Sequence, residues 1–393
     1  MGAIVASALS WWQVRRNCSP AIAVMAKRAR FTDVMCEHYV SRTAMSEILR
    51  AARDEGVPDA ISRSTFFRDR KAVCGRVTPY GPLVQHHEIM RTSGPYKIGV
   101  CPPMPLLWEM SKEPAFARLL LLTHQRTPCS VAKPWRVVLY CDEVSPSNPL
   151  QTGPDHRKVQ AVYWSILEFG MDVLCHEAVW FVLSTVRSEV VAELDGGMSH
   201  LVKMILERNF FDCDGHHLER GGLQLELEHG ATRVRILVLM KMGCLVGDEL
   251  ALKDLLLCKG HAGLKPCCCC SKVVLARSEL ASSGLHVPSD SIDVARMEQH
   301  TNESIIAILH RLSAARGTMS KARFEELESM LGWNYSERNF LLPRCIEMMP
   351  ASWIMYDWTR VYVVKGVFNN EVGRFIKHRA RRFQSILIGV CPR

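Results

Sequence analysis

The feature that most constrains the fold is a pair of long apolar, β-branched runs that each reach an acidic residue. The first, W-R-V-V-L-Y-C-D-E-V, begins at Trp135 and includes Asp142 near its end. The second, R-V-R-I-L-V-L-M-K-M-G-C-L-V-G-D, ends on Asp248. Runs of this composition are typical of β-strands. If the two strands lie side by side, we expect their carboxylates to meet at one end of a sheet.

The elements around these runs predict a mixed sheet. V-Q-A-V-Y-W-S-I-L-E-F and W-F-V-L-S-T-V-R-S follow the first run and are also strand-like, which favours an antiparallel meander. A helical pattern then begins after Gly196 and Gly197, a short strand L-Q-L-E-L-E precedes the second run, and A-L-K-D-L-L-L-C after it is helical. Three strands, helix, strand, helix is the order of a ribonuclease H-like α/β core, with its mixed sheet flanked by helices.

Composition indicates a globular protein in a reducing compartment. The chain has 393 residues, of which 48% are hydrophobic and 23% charged, ordinary values for a soluble globular protein. Most of its 16 cysteines stand singly, several in apolar runs, rather than forming a disulfide framework. No apolar run reaches the length of a membrane span. We therefore expect an intracellular protein with no membrane partner.

Four regions are expected along the chain. Residues 1–30 predict a poorly ordered extension. Residues 31–75 predict a small, mainly helical region, since T-A-M-S-E-I-L-R-A-A and S-R-S-T-F-F-R-D-R-K-A-V flank a break at Gly56-Val57-Pro58. This outline fits a helix-turn-helix or an ordinary helical hairpin. The proline-rich residues 76–134 predict a connector with one or two helices, and residues 135–393 the core.

The net charge of +9 is concentrated in short basic segments. Clustered lysine and arginine favour a nucleic-acid partner, whose phosphates they neutralise without reading sequence. The alternative is a set of solvated helix faces. The candidate nucleic-acid residues are Arg68, Arg70, Lys71, Lys377, Arg379, Arg381 and Arg382.

Asp142 and Asp248 are the candidate catalytic and metal-binding acids. Neighbouring carboxylates repel one another unless a cation lies between them, and their hard oxygen ligands suit Mg²⁺ or Mn²⁺. Two such ions about 4 Å apart can activate a water molecule and stabilise the leaving oxygen of a phosphodiester. The alternative is that each acid at a strand end only caps the following turn.

Four consecutive cysteines in K-P-C-C-C-C-S-K provide a second candidate metal centre. Cys267 and Cys270 have the C-x-x-C spacing of one half of a structural Zn²⁺ site. His261, His300 and Cys345 are candidates for the other half. The alternative is a partly buried run of thiols without metal.

The acids and histidines of F-F-D-C-D-G-H-H also lie close together in sequence. We interpret them as a turn, because Asp-Gly is a common turn dipeptide, rather than as a metal site. The residues concerned are Asp212, Asp214, His216 and His217.

The segment from Leu139 to about Gly373 resembles eukaryotic DDE-type transposases, particularly the CACTA-like group and proteins derived from it. Three motifs carry the resemblance: L-Y-C-D-E-V, then G-D-E-L-A-L-K-D-L-L-L-C-K-G-H-A-G-L-K-P-C-C-C-C, then Y-D-W-T-R-V-Y. The third is similar to the family's D-x-M-H segment. It has Asp357 at the acid, but Arg360 where the family has histidine, and arginine cannot bind a metal.

The resemblance implies roles for particular residues. Asp142 and Asp248 match the first two metal-binding acids, and Cys267 and Cys270 match the C-x-x-C inserted after the second acid. Glu371, on a predicted amphipathic helix, is the candidate third acid, with a solvent-facing glutamate as the alternative. The chain ends at Arg393, soon after K-H-R-A-R-R-F, so we expect a C-terminally truncated core. The alternative to Glu371 is then that the family's last acid lies beyond that end.

The resemblance also implies a function. It predicts a transposase-derived nuclear protein of transposable-element origin, ancestrally cleaving DNA strands with Mg²⁺ or Mn²⁺ and joining the freed 3′-hydroxyl to target DNA. The alternative is a catalytically inactive, nucleic-acid-binding remnant, so enzymatic activity is left open. A nuclease acting on RNA or DNA ends would use the same acids. DNA is the expected partner, and homo-oligomerisation is left open.

Overall fold

A computed structural model of the chain describes residues 42–56, 63–144, 158–212, 215–229, 232–342 and 349–356. The chain divides into two compact units, Met1–Val84 and Gln85–Arg393. The boundary falls inside the region 76–134 that the prolines predict as a connector. The first unit contains α1 (Arg42–Glu55), α2 (Arg63–Cys74), β1 (Val77–Thr78) and β2 (Gly81–Pro82).

The second unit contains a large sheet, two short ladders and several helices. Its strands are β3 (Gln85–Arg91), β4 (Gly94–Val100), β5 (Trp135–Val144), β6 (Val159–Ile166), β7 (Phe181–Arg187), β8 (Leu223–His229), β9 (Thr232–Val238), β10 (Met240–Gly247), β11 (Val273–Val274), β12 (Val287–Pro288) and β13 (Ile354–Tyr356). Its helices are α3 (Pro103–Met110), α4 (Pro114–Arg126), α5 (Met171–Leu174), α6 (Ser188–Ala192), α7 (Gly197–Ile205), α8 (Glu249–Leu256), α9 (Asn302–Ala315), α10 (Lys321–Leu331) and α11 (Pro350–Trp353).

Seven strands form the main sheet in the order β13-β10-β5-β6-β7-β4-β3. Strands β5, β6 and β7 form an antiparallel meander, and β4 and β3 extend it with the same alternation. On the other side of β5, β10 and then β13 run parallel to it. This is a ribonuclease H-like arrangement, and the predicted fold class is confirmed. Within the described residues, no helix is both long and apolar enough to cross a bilayer.

The second long apolar run is two strands rather than the single strand that the sequence predicts. Strand β9 pairs with β8 in a separate antiparallel ladder, and β10 joins the main sheet. Leu239 lies between β9 and β10, and its carbonyl accepts a hydrogen bond from the Trp135 amide at 2.8 Å. The Leu239 amide donates to the Cys129 Sγ at 3.1 Å. Neither backbone group of Leu239 bonds to β8. The run therefore leaves its pairing with β8 at this residue and pairs with β5 from Met240 onward.

An aromatic cluster fills the core on one face of the main sheet. The rings of Trp164 on β6 and Phe181 on β7 have centroids 5.3 Å apart, and Phe210 lies 5.5 Å from Trp164. Phe116 of α4 packs edge-on against Phe181 at 5.7 Å. Leu139 of β5 pairs with Trp164 and is buried with it. This face of the sheet is therefore closed to solvent by the helices above it.

The loop that follows α8 is held against the end of α10. Cys258 forms an isolated antiparallel bridge with Trp333, and the Lys259 amide donates to the Gly332 carbonyl at 2.9 Å. Gly332 ends α10 with a φ of +82°, and a Cβ added there would lie 2.8 Å from the Lys265 carbonyl oxygen. A side chain at this position would therefore be disfavoured both by the backbone conformation and by the close approach of Lys265.

Gly332→Ala is expected to lower the free energy of unfolding by about 2–3 kcal/mol, because it adds a steric clash to left-handed backbone strain. The matched control is Gly284→Ala, since Gly284 has a φ of +68° with nothing within 4 Å of the added Cβ. That variant should lose only about 1 kcal/mol, from strain alone. Urea denaturation of both variants measures the difference. Equal losses would mean that the contact with Lys265 is unimportant.

Candidate functional site

The two predicted acids lie at the same end of two adjacent parallel strands. In the register of β5 and β10, Tyr140 is paired with Val246. Asp142 follows Tyr140 by two residues, and Asp248 follows Val246 by two residues. The side-by-side arrangement that the sequence predicts for these strands is therefore present, and both acids extend from the carboxyl edge of the sheet.

Asp142 occupies the face of β5 opposite the aromatic core. Successive side chains of a strand point to opposite faces, so Asp142 shares its face with Tyr140, while Leu139 points into the core. The Tyr140 hydroxyl donates to the Asp142 Oδ2 at 3.3 Å. Partial burial raises the pKa of the Tyr163 hydroxyl, and the charge of Asp142 raises it further. Asp142 is itself only half-buried, so its carboxylate lies within reach of solvent.

Asp248 has a structural role that the sequence allows as the alternative to metal binding. It is the N-cap residue of α8, and its Oδ1 accepts a hydrogen bond from the Ala251 amide at 2.8 Å. An aspartate in this position satisfies an amide that has no partner within the helix. The capping role is therefore observed, whereas the metal-binding role stays a prediction.

Two further carboxylates near this edge are missed by the sequence prediction. Partial burial raises the pKa of the Asp254 carboxyl, and the charges of Asp248 and Glu143 raise it further. Glu143 in turn is held by Lys158 at 3.2 Å and by the Ser188 hydroxyl at 2.9 Å. Like charges that raise a carboxyl pKa are the electrostatic situation that a bound cation relieves. The adjacent D-E pair in L-Y-C-D-E-V was the available signal for Glu143.

The described part of the chain brings together no group of three or more histidine, cysteine or acidic side chains that could hold a metal ion. The candidate third acid, Glu371, lies outside the described residues, as do Asp357 and Arg360. Of the three acids predicted to bind metal, the structure therefore describes Asp142 and Asp248.

The four consecutive cysteines lie in a loop that is packed against other elements. Cys268 is completely buried, and its Sγ lies 3.0 Å from the Tyr356 hydroxyl. The Cys269 amide donates to the Cys267 Sγ at 3.4 Å, and the Cys269 carbonyl accepts from the His300 amide at 2.8 Å. The run is therefore neither an exposed loop nor a uniformly buried apolar stretch, and its members have distinct surroundings.

Hydrogen bonds within the run favour the thiolate form of two of its cysteines. Hydrogen bonds from Cys269, and also from Cys270, lower the pKa of the Cys267 thiol to about 5. Burial raises the pKa of Cys270 to about 12, and the negative charge of Cys267 contributes to that rise. The pKa of Cys269 is also raised, primarily because it donates to Cys267. The pKa of the Cys268 thiol is lowered as well, primarily by its hydrogen bond with Cys269. Cys267 and Cys268 are therefore the thiols of the run that ionise most readily, and a thiolate is the form that binds zinc.

Of the histidines predicted as zinc partners, His300 lies beside the cysteine run and His261 is exposed. The His300 Nδ1 lies 2.9 Å from the Ser304 hydroxyl oxygen. Burial lowers the pKa of His300 to about 4, and the charge of Lys265 lowers it further. The ring is therefore neutral at physiological pH, which metal ligation requires. The third candidate, Cys345, lies outside the described residues.

The cysteine run is connected to the acid edge of the sheet through Tyr356. This residue ends β13, and its register partner on β10 is Gly247, the residue immediately before Asp248. Its hydroxyl contacts Cys268, as described above. The C-x-x-C loop and the second predicted acid therefore share a supporting strand. The sequence contains no signal for this contact, because 88 residues separate Cys268 and Tyr356.

The described residues of the F-F-D-C-D-G-H-H segment form a turn, which is the interpretation made from its sequence. His217 forms an antiparallel bridge with Phe211. Its Nδ1 accepts from the amides of Glu219 and Arg220, at 3.2 and 3.3 Å. The imidazole therefore supports a turn, while Asp214 lies outside the described residues.

Three of the predicted nucleic-acid residues lie on α2 in the first unit. Arg68 and Lys71 are exposed, and the Arg70 guanidinium lies over the Phe67 ring at 4.6 Å. The other four lie outside the described residues, namely Lys377, Arg379, Arg381 and Arg382.

No protein-family model matches the chain, and no curated protein matches it significantly. The resemblance to CACTA-like transposases therefore stays a prediction that depends on the quoted motifs.

Substitution of Asp248 tests its capping role separately from its charge. Asp248→Ala removes the acceptor for the Ala251 amide and should lower the free energy of unfolding by about 1 kcal/mol. Asp248→Asn keeps an acceptor oxygen, so it should lower the free energy of unfolding by only about 0.3 kcal/mol. Urea denaturation at neutral pH measures both. Equal destabilisation by the two substitutions would contradict a role through capping.

Proposed function

We propose that this chain is a transposase-derived protein whose core performs metal-dependent cleavage and transfer of DNA strands. The proposal depends on one observation above all. Asp142 and Asp248 extend from the same edge of two adjacent parallel strands in a ribonuclease H-like sheet. Phosphodiester chemistry on such a sheet needs carboxylates at that edge, since they bind the cations that stabilise the transition state.

The available donor set suits Mg²⁺ or Mn²⁺. Asp142 and Asp248 offer hard carboxylate oxygens, which these ions prefer, and Asp142 lies on a partly accessible face of the sheet. When bound, the ions would supply a polarised water or hydroxyl and charge stabilisation at the leaving oxygen. Tyr140 would orient the Asp142 carboxylate through its hydrogen bond to Oδ2. We retain Glu371 as the proposed third acid.

A second candidate function is that of a catalytically inactive nucleic-acid-binding protein with the same fold. Two observations favour it. Among the described residues, no three potential ligands come together, and one carboxylate oxygen of Asp248 is engaged in capping α8. In this case the basic residues of α2 would carry the function, and the nucleus would be the compartment where either form meets DNA.

We also propose a structural Zn²⁺ bound by Cys267 and Cys270. The support is the C-x-x-C spacing together with the thiolate at Cys267, which hydrogen bonds stabilise even without metal. His300 has a neutral ring, and its backbone amide donates to the Cys269 carbonyl within the run. It is the proposed partner from outside the run.

A strand-cleavage assay on supercoiled plasmid distinguishes the first two candidates. The wild-type chain is expected to nick DNA with Mg²⁺ or Mn²⁺ and not with EDTA. Asp142→Ala and Asp248→Asn should each lower the rate at least about a hundredfold, because each removes a charge that holds the cation. Glu249→Gln is the matched control, since Glu249 is exposed and ion-paired with Lys253. Wild-type binding to DNA without any cleavage would favour the inactive remnant.

Metal analysis of the purified chain tests the zinc proposal. About one equivalent of zinc per chain is expected, with Cys267→Ser and Cys270→Ser each losing most of it because each removes a ligand. Cys175→Ser is the control, since Cys175 is an exposed cysteine outside the run. Unchanged zinc content in both ligand variants, or no zinc in the wild-type chain, would rule the proposal out.

A further inference from the structure

The exposed face of α2 carries an aromatic side chain among polar and basic ones. Phe67 is 43% exposed, a large fraction for phenylalanine. Ser64, Arg68 and Lys71 are also exposed. Residues three and four apart lie on one face of a helix, so Ser64 and Lys71 flank Phe67 along the axis, and Arg68 stands beside it. This continuous face, Ser64–Phe67–Arg68–Lys71, is called the α2 stripe below.

A basic side chain lies over the ring of Phe67, and others stand near it on α2. The Arg70 guanidinium lies 4.6 Å from the ring centroid, a cation–π contact that orders both side chains. Arg68 is 3.7 Å from Asp69, but their side chains are 76% and 66% exposed, so this pair is weak and readily exchanged for another anion. With four basic residues and one acid, α2 has a net charge of +3.

We propose that the α2 stripe enters the major groove of double-helical DNA, where Phe67 contacts the methyl group of thymine. This inference rests on the DNA-binding function proposed above and adds base contact to phosphate contact. An α-helix fits the major groove, and the thymine methyl is the apolar group that a phenylalanine can contact there. Arg68 and Lys71 lie on the same side of Phe67 around the helix and are placed to reach phosphates along one edge of the groove.

Burial of an exposed aromatic ring supplies the driving force for this contact. In the unbound chain, Phe67 keeps apolar surface in water, and contact with a methyl group removes part of that surface. Phosphate contacts alone would not require an aromatic residue in the centre of the α2 stripe. A helix that only neutralised phosphates would be expected to carry a polar residue at that position.

Fluorescence anisotropy with the full chain tests the proposal. One probe is a duplex of alternating adenine and thymine, and the second is the same duplex with uracil replacing thymine. The two differ only in the methyl groups, which line the whole major groove, so no target sequence is needed. The wild-type chain should bind the thymine duplex about fourfold more tightly, the effect of burying one methyl group.

Three variants assign the effect to Phe67. Phe67→Ala should abolish the preference for thymine over uracil, whereas Phe67→Leu should retain most of it because leucine keeps an apolar contact. Arg68→Gln is the matched control from the same stripe. It should weaken binding to both duplexes equally and lower the slope of log affinity against log salt by about one. Circular dichroism and thermal unfolding check that each variant is folded.

Two results would overturn the proposal: equal wild-type affinity for the two duplexes, or a thymine preference that survives in Phe67→Ala. A third probe, single-stranded oligothymidine, tests whether Phe67 instead stacks on unpaired bases. If Phe67→Ala weakens only the binding to that strand, Phe67 stacks on unpaired bases and the groove model is wrong.

Asp142→Ala separates this inference from the catalytic proposal, because it should abolish cleavage and leave the thymine preference unchanged. A wild-type chain that prefers thymine but never cleaves would refute only the catalytic proposal.

Discussion

The parallel pairing of β10 with β5 is the contact on which the rest of the candidate site depends. Its backbone hydrogen bonds set the register in which Val246 lies beside Tyr140, so Asp142 and Asp248 extend from one edge of the sheet. A shift of one residue would move one acid to the other face, because side chains alternate along a strand. The same pairing places β10 where β13 adds to it, so the Tyr356 contact with the cysteine run also depends on it.

Several carboxylates lie close together at the edge of the sheet that carries Asp142 and Asp248, and a cation would reduce their repulsion. Burial raises the pKa of the Asp254 carboxyl, and the charges of Asp248 and Glu143 raise it further, so these carboxylates lie close enough to repel one another. Lys158 offsets part of this repulsion at Glu143. A divalent ion would offset more, whereas without one the α8 cap provides Asp248 with hydrogen-bond stabilisation of its charge. Capping engages one oxygen of this carboxylate, so a metal ion at Asp248 would be left with the other.

The cysteine run is anchored by contacts that do not need metal. Cys268 is buried against Tyr356, and the chain before the run is held where Lys265 approaches Gly332. The backbone of the run is thus held in place on both sides of Cys267 by packing alone. In the structure the run is an ordered loop whose members have distinct contacts. Its sequence alone is equally compatible with a partly buried run of thiols without metal.

The amino-acid sequence by itself determined the strands of the meander, the helices after Gly197 and Asp248, and hence the fold class, because periodicity and β-branched composition are local properties. It also singled out Asp142 and Asp248. Only the tertiary structure decided that the second long run divides at Leu239, that Asp254 approaches the acid edge, and that Cys268 contacts Tyr356. Those outcomes depend on partners far away in the chain, whose positions are set by packing and backbone hydrogen bonding rather than by neighbouring residues.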